Sequence, residues 1–127
     1  METKTRIIIV SAVIVVAILV AVVIFWPKAV ISSPKMDAFA QCIASKGAKF
    51  YGAFWCPHCQ AQKELFGSSV KYLPYVECST PDTNGQLQVC IDQKIAAYPT
   101  WKFSDGTTKE GEMTLRELAD KTGCALP

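Results

Sequence analysis

Histidine is nearly absent from this chain: His58 is the only one in 127 residues. A second close cysteine pair is also missing. Only Cys56 and Cys59 form a Cys-x-x-Cys, and Cys78 and Cys90 stand 12 apart. These absences count against a zinc ribbon, which takes its ligands as two close pairs. Gln60 occupies the place where haem attachment would need a histidine. The sequence therefore assigns no metal and no cofactor. Charge of one sign is lacking too: 13 basic and 11 acidic side chains give a net charge of +2. That balance leaves no basic stripe for a nucleic acid to follow. Internal repeats and low-complexity segments are absent, and the length fits one folded domain.

What the chain does have is one long apolar run. Residues 7–26, from Ile7 to Trp26, carry no charge, and Ser11 is their one polar member. A helix of that length spans about 30 Å, the thickness of a bilayer core. A cleaved signal peptide has a shorter apolar region followed by a small-x-small site, and this run ends in Phe25-Trp26-Pro27. We read a retained single-pass anchor, with residues 1–6 as a polar tail, Trp26 at the membrane interface, Pro27 ending the helix and residues 27–34 as a short linker. Lys4 and Arg6 precede the span and Lys28 and Lys35 follow it, so charge orients it only weakly. All six cysteines follow the run, at 42, 56, 59, 78, 90 and 124. So many in a small domain point to an oxidising compartment, and hence to a domain of residues 35–127 on the extracytoplasmic side of the cell membrane.

Within that domain, hydrophobic spacing predicts a helix over 35–46 carrying Met36, Phe39 and Ile43. A nearly continuous apolar run over 48–55 reads as a central strand covered on both faces. A helix is expected over 57–66, stopped at Gly67, with Lys63 and Glu64 facing water. A short strand follows over 73–78, then a loop over 79–85. A third helix over 86–95 places Leu87, Cys90 and Ile91 on one stripe. Asp105-Gly106 is the turn signal of a hairpin. Thr114 and Glu117 form a capping box that opens a last helix, ended at Gly123. Trp101 and Phe103 read as core.

The Cys56-Pro57-His58-Cys59 motif lies where the predicted strand meets the predicted helix. Helix N-termini favour negative charge, which stabilises the Cys56 thiolate, the form that acts as nucleophile. Pro57 fits the first turn. Cys59 lies on the same helical face, within reach of the first sulfur. His58 is either a surface residue or a group that favours the thiolate. Cys78 and Cys90 read as a structural bridge, with a second, shuttling pair as the alternative. For Cys42 and Cys124 the open readings are a mutual bridge, binding to a partner, or free thiols.

A strand, the Cys-x-x-Cys helix, a second strand, a proline before a hairpin and a terminal helix together resemble the thioredoxin superfamily. A closer resemblance rests on Tyr51-Gly-Ala-Phe-Trp-Cys-Pro-His-Cys59, Lys63-Glu-Leu-Phe-Gly67, Tyr75-Val-Glu-Cys78, Cys90 and Tyr98-Pro-Thr-Trp101. These stretches look like the thioredoxin-like domain attached to vitamin K epoxide reductase homologues. The resemblance implies an α/β thioredoxin-like fold, a central mixed sheet flanked by helices, here preceded by one transmembrane helix. It implies a Cys56–Cys59 redox disulfide, a cis-proline at Pro99, Trp55 flanking the exposed sulfur, and Tyr98 and Thr100 bordering a substrate groove. The implied activity is thiol–disulfide exchange of the DsbA type, toward the oxidising end of the potential range. Cysteine-containing secreted or membrane proteins would be substrates, and a vitamin K epoxide reductase-like quinone reductase would be the electron acceptor. The alternatives are a thiol reductase or isomerase, for example in cytochrome c maturation, and a membrane-tethered adaptor without turnover. One departure is Phe50, which stands where thioredoxin has a buried acid six residues before its first active-site cysteine. The other is Cys42 and Cys124, which the resemblance leaves unexplained.

Overall fold

The computed structural model describes residues 2–25 and 33–127. The readings of Trp26 as an interfacial anchor, Pro27 as the helix stop and 27–32 as linker lie outside the described residues. Helix α1, Glu2–Phe25, is long and apolar enough to cross a membrane over Glu2–Val22. The helix already includes residues 2–6, where Glu2 complements the N-terminal dipole. Its side chains from Glu2 to Val22 are exposed. An apolar surface that nothing in the fold covers needs lipid or an equivalent partner. Length and composition fit a membrane anchor and a signal sequence alike.

The rest of the chain runs α2 (Pro34–Ser45), β1 (Lys49–Gly52), α3 (Pro57–Glu64), a 3-10 helix (Gly67–Tyr72), β2 (Tyr75–Glu77), α4 (Gln88–Asp92), β3 (Thr100–Lys102), β4 (Thr108–Glu110) and α5 (Leu115–Thr122). The four strands form one mixed sheet in the order β2-β1-β3-β4. β1 pairs parallel with β2 and antiparallel with β3, and β3 pairs antiparallel with β4. A parallel pair needs a crossover, and α3 with the 3-10 helix supplies it. The hairpin closes at Asp105-Gly106: Gly106 takes a φ of 81°, and Asp105 Oδ1 accepts from Thr107 N at 2.9 Å.

Strand alternation splits the core in two. On one face Phe50 stacks on Trp101 with ring centroids 4.8 Å apart and meets Tyr75 edge-on at 5.2 Å. Phe39, Ile43, Phe66 and Leu118 complete that cluster. On the other face Tyr51, Cys78, Cys90 and Ile95 form a smaller one. Gln62 is fully buried and ties the sheet to the segment before α5, accepting from Met113 N at 2.7 Å and donating to Met113 O at 2.9 Å.

Several elements differ from the sequence reading. The central strand stops at Gly52 because Phe54 N donates to the Glu77 carboxylate and not to a neighbouring backbone. The helix expected over 86–95 shrinks to Gln88–Asp92. Gln86 is drawn into a bridge with Ser79, and its side chain donates to Ile95 O and Tyr98 Oη. Ile91 leaves the expected stripe and is 49% exposed. Beyond Gly67, where a stop was expected, the chain continues as the 3-10 helix, which Ser69 Oγ ties to Asp37 at 2.6 Å. The capping box stands as read: Thr114 Oγ1 accepts from Glu117 N, and Thr114 N donates to Glu117 Oε2.

Candidate active site

The two cysteines meet at the N-terminus of α3. Cys56 is the N-cap residue with extended backbone (φ −78°, ψ 118°), and Pro57 opens the helix. The Cys56 sulfur accepts the backbone N–H of Cys59 at 3.4 Å. A hydrogen bond to sulfur from an orphan helix N–H favours the charged form of that sulfur. The Cys56 thiol also lies 3.8 Å from the carbonyl of Tyr98. Both cysteines are free thiols. Cys56 keeps 5% of its surface exposed and Cys59 none, so a partner reaches Cys56 first.

The Tyr98–Pro99 peptide bond is cis. Pro99 is buried, and its carbonyl accepts from Gly111 N at 2.8 Å. The Tyr98 ring meets Trp55 edge-on, and its hydroxyl accepts from Gln86. Trp55 donates its indole N–H to Ser79 Oγ at 2.8 Å and still exposes 49% of its surface beside the cysteines. Phe54, next to it, is 45% exposed. Thr100 does not border a groove. It is 2% exposed, and its hydroxyl donates back to Ala97 O at 2.7 Å. It opens an interior strand paired on both sides, with Tyr51 and Glu110. His58 turns its Nδ1 to Glu112 Oε1 at 2.6 Å, with 72% of the imidazole exposed.

The face of the sheet beneath Cys59 carries groups that the sequence reading passed over. Gly52 is the contact point: a side chain there would begin 2.8 Å from Cys59 Sγ and 3.1 Å from the Tyr75 ring edge. Tyr75 Oη donates to Glu77 Oε2 at 2.7 Å. Glu77 Oε1 accepts from the backbone N–H groups of Phe54, Cys78 and Ser79 at 3.2, 3.1 and 2.9 Å. Where Glu64 is exposed, Lys63 is half-buried. Its ammonium lies 3.5 Å from the centre of the Tyr75 ring. Burial pushes the Cys59 thiol up to about 12 and the hydrogen bond with Cys56 adds to this, while the Ala53 backbone and then the Lys63 charge oppose it. Burial, then the bond to Glu77, holds Tyr75 as a neutral phenol. The signal that could have found this cluster is spacing. Lys63 is one helical turn from Cys59, and Tyr75 and Glu77 alternate onto one face of β2 opposite Phe50 and Gly52.

The four outer cysteines form two disulfides. Cys78–Cys90 closes a short loop, and both residues are fully buried, which fits a structural bridge. Cys42–Cys124 joins α2 to the chain after α5, across a sequence separation of 82.

No protein-family model matches the chain. Among curated proteins it is similar to the thiol-disulfide oxidoreductase LTO1 of Arabidopsis thaliana, with 47% identity over 100 residues, 75% of this chain and 26% of that protein. It is also similar to the thioredoxin domain-containing protein 5 homolog of Drosophila melanogaster, with 38% identity over 98 residues, 65% of this chain and 22% of that protein. The fold is thioredoxin-like. The chain spans about a quarter of the length of these relatives. In the thioredoxin-like frame, the cysteine pair at a helix start and the cis-proline loop stand side by side, while the fully buried Phe50 fills the place of an acid.

Proposed function

We propose that this chain is a membrane-tethered thiol–disulfide oxidoreductase acting from the extracytoplasmic face. It oxidises cysteine pairs in secreted or membrane proteins. One observation carries the reading: Cys56 caps α3, with its sulfur between the Cys59 N–H and the Tyr98 carbonyl that precedes cis-Pro99. The name of the Arabidopsis relative, which includes thiol-disulfide oxidoreductase, supports the same chemistry.

The reaction starts from the Cys56–Cys59 disulfide. A substrate thiolate attacks Cys56, forming a mixed disulfide and releasing Cys59, which takes up a proton. A second substrate thiol, after losing its proton, attacks the substrate sulfur of that bond. The substrate leaves with a new disulfide, and two electrons remain on Cys56 and Cys59. Trp55, Phe54 and the Tyr98 backbone form the rim against which a substrate strand docks. A quinone reductase resembling vitamin K epoxide reductase takes the electrons away. Confinement of both proteins to one membrane through α1 raises their effective concentration. The apolar Phe50 favours this direction over a thioredoxin-type reductase, because it offers no acid to help Cys59 resolve. The two outer disulfides suit an oxidising compartment.

The test compares two assays on the full chain in detergent. The oxidised protein should form disulfides in reduced ribonuclease, and Cys59→Ala should trap substrates as mixed disulfides through Cys56. Insulin reduction faster than ribonuclease oxidation would reverse the direction. Absence of any Cys56-linked adduct would leave only a binding role.

A further inference from the structure

Cys59 must carry negative charge at one point in either direction of exchange, as the group expelled when Cys56 is attacked or as the nucleophile that resolves a mixed disulfide. A thiolate is the competent form in both roles. Its surroundings oppose that charge, since Cys59 is fully buried and the acid position beneath it is Phe50. We infer that Lys63, held in place by Tyr75 and Glu77, is the positioning residue that stabilises the Cys59 thiolate. The inference rests on the oxidoreductase reading and deepens it.

The geometry builds this support in three steps. Glu77 is fixed by three backbone N–H groups at the end of β2, next to the Cys78–Cys90 bridge. It fixes Tyr75 through the phenol hydroxyl. The Tyr75 ring then presents its face to the Lys63 ammonium at 3.5 Å and its edge to the space over Gly52, where Cys59 Sγ lies. A cation over a neutral ring is attracted by the ring's quadrupole, and α3 places Lys63 one turn beyond Cys59. The ionisable groups acting on Cys59 are Cys56, at the cap of α3, and Lys63 from α3; Tyr75 of β2 interacts with both cysteines and with Glu77. Lys63 is the cation among them. Gly52 is part of the device, since any side chain there would push the sulfur off the ring.

In the resolving step the Cys59–Cys56 bond forms and the bond from Cys56 to the departing thiol breaks. Cys59 is oxidised, the departing thiol is reduced, Cys56 stays in a disulfide throughout, and the Cys59 proton passes through solvent to the departing thiolate.

The test uses the reduced full chain in detergent with 5,5′-dithiobis(2-nitrobenzoate), followed by stopped flow across the neutral to alkaline range. Attack by Cys56 releases one thionitrobenzoate. Resolution by Cys59 releases a second, so the two thiols are read separately. Lys63→Met should slow the second phase about tenfold at neutral pH, the low end for losing a nearby opposite charge, and shift its pH profile to higher pH. It should leave the first phase within twofold. Lys63→Arg should retain most of the second-phase rate, and Tyr75→Leu should reproduce part of the loss. A Lys63→Met second phase within twofold of wild type, with an unmoved profile, would overturn the inference. By contrast, a wild-type first phase no faster than that of a free cysteine would strike at the oxidoreductase reading itself.

Discussion

Putting an acid where thioredoxin keeps one tests whether that position is chemical or structural in this chain. Phe50 is fully buried, stacked on Trp101 at 4.8 Å and edge-on to Tyr75 at 5.2 Å. Phe50→Asp removes that ring, and truncating a buried Phe costs about 3–5 kcal/mol. The carboxyl group left behind is buried among rings, which adds about 1–3 kcal/mol for a polar group without a partner. The sum, about 4–8 kcal/mol, approaches the whole stability of a small domain, about 5–15 kcal/mol. Phe50→Leu keeps an apolar filling and should cost about 1–2 kcal/mol. Urea unfolding of the full chain in detergent, followed by tryptophan fluorescence, measures both. We expect Phe50→Asp to lack a cooperative transition or to lose at least half the wild-type midpoint, while Phe50→Leu retains most of it. A Phe50→Asp variant that unfolds within about 1 kcal/mol of wild type and reduces insulin faster would refute the reasoning. The position would then be an acid site held vacant, and the direction of exchange would no longer follow from it.

Three further outcomes are expected. Replacing Cys42 and Cys124 together by serine should cost about 4.5 kcal/mol from the loop of separation 82, against about 3 kcal/mol for Cys78 and Cys90 with separation 12; the reverse order in urea midpoints would contradict the loop-entropy argument. His58→Ala should lower the reduction potential of the pair, measured against glutathione, by about 30 mV or more, equivalent to about 1.4 kcal/mol; an unchanged potential would mean that His58 serves only to hold Glu112. Alkaline pH should favour the disulfide. Burial raises the Cys59 thiol from 9.0 to about 12, so the reduced fold keeps its proton while the unfolded chain loses it. Stability from this group is full below pH 9 and is lost as pH rises toward 12. Tyr75 is raised in the same direction, but its phenol titrates in either redox form and does not carry the difference between them. Reduced minus oxidised stability should therefore fall across that window, and a flat difference would count against a buried, protonated Cys59.

How much was legible follows from how local each signal is. The Cys56 cap, the Thr114–Glu117 capping box and the Asp105-Gly106 turn are each decided within a few residues, and each stands in the structure as the sequence indicates. The Cys42–Cys124 bridge depends on contacts between elements far apart in sequence, α2 and the chain end, so no spacing could choose it among the pairings of six cysteines. Thr100 was misplaced for a related reason. Adjacency to a cis-proline suggested a rim, but pairing of β3 on both sides, visible only in the assembled sheet, turns that residue inward.

The cluster beneath Cys59 was missed because its signals are short and conflict with average behaviour. β2 has three residues, too few for alternation to stand out. Lysine and glutamate on a helix or strand usually mark a solvated face, and by that rule Lys63 reads as exposed. What overrides it is Glu77, which the sheet end needs: three backbone N–H groups, including Phe54 N where β1 leaves the ladder, have to be satisfied as the chain turns toward the cysteines. Once a carboxylate fills that need, the Tyr75 hydroxyl has a partner, and its ring offers a face on which Lys63 rests and an edge turned to the space over Gly52. A residue placed to close a strand end thus fixes the electrostatics of a thiol one element away. The sheet positions the cation, Lys63, that α3 brings toward Cys59.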